Sequence, residues 1–186
     1  MVSVSLLWLP ILVASLGVFF LSSIIWMVLP HHKADIRVLP DEAGFTERLS
    51  QFNIPPGTYM WPNCGSGEGP NSPEFKQRME SGPWGSLNVI GNAPSFAFNL
   101  VAVFAVYIVV SALVAFLASQ SRPAGAPFGE VFLVATVAAF LGYGMGGLPG
   151  AVFFSKPGRF VVTELLDSVA YALVTGAIFA WLWPGA

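Results

Sequence analysis

The chain reads as an all-α membrane protein: a bundle of four transmembrane helices with a small α+β extramembrane cap between helices 1 and 2. Three observations predict this. Only 10% of the 186 residues are charged and 55% are hydrophobic, whereas soluble domains carry about 25% charged residues. Four apolar runs, at about residues 4–29, 96–118, 128–150 and 161–184, each approach the roughly 20 residues that cross a bilayer. Residues 30–95 form the one sizeable hydrophilic segment. The division expected is therefore 1–29 as the first transmembrane helix, 30–95 as the cap and 96–186 as helices 2–4.

The first run resembles a secretory signal in position only. It has no positive n-region, no small-x-small site before Pro30, and an apolar stretch well beyond the usual h-region. It is expected to stay as an anchor. Pro10 falls in its first turns, where a missing N–H is best tolerated, and Trp8 and Trp26 suit the two edges of an aromatic belt.

In the cap, Pro40-Asp41 opens a helix to about Phe52, with Phe45, Leu49 and Phe52 on one stripe. Pro55-Pro56-Gly57 stops it. Thr58-Tyr59-Met60-Trp61 and Ser86-Leu87-Asn88-Val89-Ile90 are β-prone. Between them Asn71-Ser72-Pro73-Glu74 opens a short helix that Gly82-Pro83 breaks. Fewer than about 70 residues make a marginal core, so this segment is expected to rest on the membrane or on a partner, with Trp61 and Trp84 as contacts. An ordered loop without a true sheet is the alternative.

The polar stretch 119–127 separates the second and third spans. The third span ends between Tyr143 and Phe154, where Gly142, Gly144, Gly146 and Gly147 cluster. Small residues let helices approach closely in lipid; the same cluster also serves to break a helix where protein surrounds it. Lys156-Pro157-Gly158-Arg159 is the last loop. Four spans put both termini on one side. Lys33, Arg37, Arg48, Lys76, Arg78, Lys156 and Arg159 then share the cap side, and Arg122 alone lies opposite. The positive-inside rule places the cap in the cytoplasm and the termini on the opposite side.

The fourth span carries Glu164 and Asp167, followed by Tyr171 and Thr175, on one helical face. A carboxylate facing lipid costs about 2.5–3.5 kcal/mol on insertion scales, so this face should meet protein or a polar cavity. Antiparallel threading brings His31, His32, Lys33, Asn99, Tyr143, Lys156 and Arg159 to the same membrane face. Three uses stay open. The carboxylates sit at the positive end of the helix dipole and are neutralised by Arg159, Lys156 or Lys33. They form a proton or ion path with the Tyr171/Thr175 line. Or His31 or His32 joins Glu164, Asp167 or Cys64 around a metal, although no Glu-x-x-His or His-x-x-x-His spacing is present and no metal or other cofactor is named by the sequence.

Other classes are excluded or disfavoured. A net charge of −2 without a basic cluster does not fit nucleic-acid binding. One cysteine, Cys64, rules out an intramolecular disulfide and a multi-cysteine metal site, and a packed thiol is the simpler role for it than a nucleophile. Gly65-Ser66-Gly67-Glu68-Gly69 lacks the Gly-Lys-Ser/Thr ending of a P-loop.

Trp26-Met27-Val28-Leu29-Pro30-His31-His32-Lys33-Ala34-Asp35, Leu39-Pro40-Asp41-Glu42 and Pro56-Gly57-Thr58-Tyr59-Met60-Trp61-Pro62 resemble uncharacterised small polytopic proteins of bacterial inner membranes. The resemblance covers the end of the first span and the start of the cap, and implies no activity or site residues. The function expected is a non-enzymatic accessory or scaffold subunit of a larger membrane complex, in contact with lipid and with other membrane subunits or further copies of itself. A small oligomeric transporter or proton- or ion-conducting protein using the intramembrane carboxylates is the alternative.

Overall fold

The computed structural model describes residues 2–65 and 69–185. In chain order the elements are α1 (Trp8–Met27), α2 (Glu42–Gln51), β1 (Gly57–Trp61), α3 (Pro73–Ser81), β2 (Gly85–Val89), α4 (Phe96–Ser121), α5 (Phe128–Phe140), α6 (Leu148–Phe153) and α7 (Gly158–Trp181). A 3-10 turn, Val4–Leu7, leads into α1, and a second, Pro30–Ala34, follows it. Four helical stretches, Val4–Met27, Phe96–Ser121, Phe128–Phe153 and Gly158–Trp181, are long and apolar enough to cross a membrane. The chain divides into two units: Met1–Arg37 with Phe96–Ala186, and Val38–Ser95.

In the first unit α1 touches α4, α4 touches α5, α5 touches α7 and α7 touches α1, closing a ring of four helices. Their inward faces are rich in small or polar residues, among them Ala14 and Ser15 on α1, Ala115 and Ala118 on α4, Ala135 and Ala139 on α5, Ala172 and Thr175 on α7, with Val114, Val131 and Phe179 between them. The bulky apolar side chains, such as Phe98, Val101, Leu113 and Leu133, point outward. This inverts the soluble pattern. With lipid as solvent, burying Leu or Phe gains little, and association depends on close packing of small residues.

The glycine cluster of the third span does something more specific than either sequence reading. The helix runs as α5 to Phe140, widens into a π-turn over Leu141–Met145, and resumes as α6. Such single wide turns recur at functional sites. A Cβ at Gly142 would stand 2.9 Å from Val110 Cγ1, and one at Gly144 3.1 Å from Ser168 Cβ. Gly146 and Gly147 have nothing within 4 Å, so close packing narrows to the first pair. The tightest approach lies elsewhere, at Gly176, where an added Cβ would collide with the Thr136 hydroxyl and meet the Phe132 carbonyl at 3.0 Å.

The second unit is built as the caps predict. Asp41 accepts from Gly44 N–H at 2.9 Å to start α2, and Ser72 accepts from Phe75 N–H at 3.1 Å to start α3. β1 and β2 form a two-stranded antiparallel sheet with Tyr59 opposite Leu87 and Trp61 opposite Gly85. None of its described residues is buried. Phe52, Trp84 and Ile90 are largely exposed. Cys64 is a half-buried free thiol. Ser66, Gly67 and Glu68 of the glycine-rich stretch lie outside the described residues.

Candidate functional site

The site grows from two ends of the chain. On α7, Arg159, Thr163, Asp167, Tyr171 and Thr175 recur every fourth residue, forming one ridge along the helix. Thr163, Asp167, Tyr171 and Thr175 are all buried. Glu164 sits off this ridge: its side chain is 42% exposed and lies 3.7 Å from Lys156 Nζ. On the other end, Leu29-Pro30 terminates α1 and the Pro30–Ala34 turn folds His31 and His32 back onto α7.

His32 is the centre of the cluster. Its Nδ1 lies 2.8 Å from Asp35 Oδ2 and its Nε2 lies 2.7 Å from Asp167 Oδ2. Its ring stacks on Trp26 at 3.8 Å between centroids and 6° between planes. His31 Nε2 approaches the other Asp167 oxygen at 3.2 Å. Arg159 donates from Nε to Asp35 Oδ1 at 2.9 Å and from Nη2 to the His31 carbonyl at 2.8 Å. Thr163 donates to Asp35 Oδ2 at 2.7 Å. A neutral imidazole donates from one nitrogen only. With a carboxylate oxygen at each His32 nitrogen, both contacts become hydrogen bonds only when one proton more than the neutral tautomer holds is shared among His32 and the two aspartates. Exposure falls inward, from 33% for the His31 side chain to 7% for Asp167 and 5% for His32.

The Thr163 hydroxyl holds the Asp35 carboxyl below the usual carboxylate range, aided by His32 and Arg159 and opposed by desolvation. A group whose folded value is depressed contributes stability above its unfolded value, about 3.9, and loses it as pH falls through the folded value. Thr163→Val moves the folded value back toward the unfolded one. The destabilisation on acidifying from about pH 5 to about pH 3 should therefore be smaller in the variant, read as the shift of its melting temperature against that of the parent. Equal shifts would show that Thr163 does not hold this carboxylate.

Beside the cluster, within the first unit, a pocket of about 250 Å³ is lined by Asp167, Glu164, Lys156, Tyr107, Tyr143 and Tyr171, among others. The three tyrosine rings pack mutually, with centroids 5.8 to 6.2 Å apart. Tyr143 sits on the π-turn, which is how the glycine cluster reaches the site. The hydroxyls of Tyr143 and Tyr171 are buried without a hydrogen-bond partner at normal geometry, as are those of Ser111 and Thr136. Further along, the interior holds Val110, Val114, Val131, Ala135 and Phe179, with the buried Ser111, Ser119 and Thr175 among them.

Of the residues singled out in the sequence, His31, His32, Asp167, Tyr171 and Arg159 come together directly, or through the shared pocket in the case of Tyr171. Glu164 borders the pocket with Lys156 as its partner. Lys33 is exposed, and Asn99 lines a separate apolar groove between α1 and α4. Sequence reasoning passed over Asp35, Thr163, Trp26 and Tyr107. The i+4 step from Asp167 back to Thr163 and the i+3 step from His32 to Asp35 were the available signals.

Fold and site together define a class: a helical chain with four helices suited to a membrane and a buried histidine–aspartate cluster beside a tyrosine-lined pocket. No family model, curated protein or solved structure matches the chain.

Proposed function

We propose that this protein is a non-enzymatic membrane protein that binds and exchanges protons or cations at the His31–His32–Asp167 cluster. The observation that carries the reading is Asp167: a carboxylate side chain only 7% exposed on a helix suited to a membrane, in contact with two imidazoles at once. Intramembrane ionisable groups of this kind are expensive and mark ion or proton pathways. The part-exposed His31 is the entry, Asp167 the relay, and the tyrosine pocket the polar space beyond. The cluster and the Val38–Ser95 unit are assigned to the cytoplasmic side of an inner membrane by the Lys and Arg distribution.

A second reading, an accessory subunit of a larger membrane complex, is favoured by one feature. The Val38–Ser95 unit has no buried residue among those described and exposes Phe52, Trp84 and Ile90, which is what a partner-dependent module presents.

One sequence of measurements tests both. Reporter fusions within 65–70 and after residue 186 fix the orientation; a periplasmic signal from the first overturns the cytoplasmic assignment. Gentle extraction and native mass measurement follow, and co-purifying foreign subunits support the accessory reading. Reconstituted vesicles under a pH gradient should then show proton flux that Asp167→Asn abolishes while the variant still folds. Equal flux in parent and variant, or none in either, removes the proton station.

A further inference from the structure

The geometry points to a divalent transition-metal site made by His31 Nε2, His32 Nε2 and an Asp167 carboxylate oxygen, with Asp35 orienting His32. This deepens the ion-binding reading of the same cluster by naming the ion's class.

The three side chains each offer one ligand atom, all within 4.8 Å of one another. Two ligands bound at about 2.1 Å stand about 3.4 Å apart at the tetrahedral angle of zinc. The contacts from His32 and His31 to Asp167, at 2.7 and 3.2 Å, are somewhat shorter, so an ion would part them by less than about 1 Å. The His31 side chain is one-third exposed, so its ring is free to take up that shift, whereas His32 is fixed.

The outer groups are those a metal site needs. Metal-bound histidines nearly always donate their second ring N–H to a carboxylate or carbonyl, which fixes the tautomer and raises the basicity of the ligating nitrogen. Asp35 supplies that acceptor to His32 Nδ1, and is itself held by Thr163 and Arg159. This leaves the Nε2 lone pair aimed at Asp167. Arg159 fixes the His31 carbonyl and Trp26 covers one face of His32.

Two imidazoles and a carboxylate suit first-row ions such as Zn²⁺ or Fe²⁺ rather than the all-oxygen choices Mg²⁺ and Ca²⁺. Three protein ligands leave a coordination position open, as in exchangeable sites. Asp167 borders the tyrosine pocket, which Tyr107, Tyr143 and Tyr171 also line, so the open position would have polar space beside it.

The test uses the full chain in detergent, stripped with a chelator and titrated with Co²⁺, followed by Zn²⁺ competition. One ion per chain is expected, with visible Co²⁺ bands that Zn²⁺ removes. Asp35→Asn should keep that stoichiometry and lose about 10–100-fold in affinity. His32→Gln and Asp167→Asn should abolish the bands, and Lys33→Ala should bind as the parent does. Circular dichroism and gel filtration check that each variant is folded. Folded parent protein without Co²⁺ bands, or variants at His32 and Asp167 that bind as tightly as the parent, would overturn the proposal and leave an ion pair only. Because the parent titration alone decides, a variant that fails to fold does not shield it. Proton flux in chelator-treated vesicles is read separately: flux without metal binding keeps the proton station and rejects the metal, and metal binding without flux does the reverse.

Discussion

Asp167→Leu should lower the stability of the purified protein by about 1–3 kcal/mol, the cost of leaving a buried hydrogen-bonding group without its partner. The leucine is welcome in an apolar helix, so insertion is not what suffers. The loss comes from the part-exposed His31 and the buried His32, which lose their Asp167 contacts at 3.2 and 2.7 Å. His32 then faces Asp35 alone, and the Pro30–Ala34 turn loses its anchor on α7. Asp167→Asn preserves shape and an acceptor oxygen, and should cost far less. Denaturant or thermal unfolding in detergent measures both. A Leu variant that melts with the parent would show that the cluster does not hold the turn to the helix.

Gly176→Leu should destabilise by about 1–3 kcal/mol or somewhat more, the range for overpacking. The cost arises because α5 presents backbone at this point: the Phe132 carbonyl stands 3.0 Å from the added Cβ, and a carbonyl in a helix cannot swing aside as a side-chain end does. Gly146→Leu meets nothing within 4 Å and should fall within about 0.5 kcal/mol of the parent. Melting the two variants side by side is the comparison. If they melt together, the α5–α7 contact is not the close packing that the backbone separation implies.

The four long helices were legible because a bilayer imposes a length and an apolar composition on whatever crosses it. The caps at Asp41 and Ser72 were legible because they are local chemistry, and they place α2 and α3 to within a residue or two. Helical periodicity also picks out Asp167, Tyr171 and Thr175 as one face. It includes Glu164 in that face, whereas the buried ridge steps by four through Thr163 and leaves Glu164 half exposed beside Lys156. What periodicity does not carry is the identity of the opposing surface. Asp35 and Trp26 join the site only because a 3-10 turn reverses the chain after Leu29, and an interfacial tryptophan reads the same whether it meets headgroups or a histidine ring. The glycine cluster announces itself by number, yet the lone Gly176 is the more tightly enclosed. Crowding is set by the neighbouring helix, not by how many glycines stand together.

The His32–Asp167 contact joins residues 135 positions apart, from the first helix's end to the last helix's start. During synthesis the first helix is in place long before the last is made, so His31 and the His32–Asp35 pair lack their α7 partners until nearly the whole chain has emerged. Asp167, in turn, is made when both histidines that contact it are already in place. The cluster is thus a record of completion: a chain truncated before α7 keeps the His32–Asp35 contact but lacks the Asp167, Thr163 and Arg159 groups that complete it.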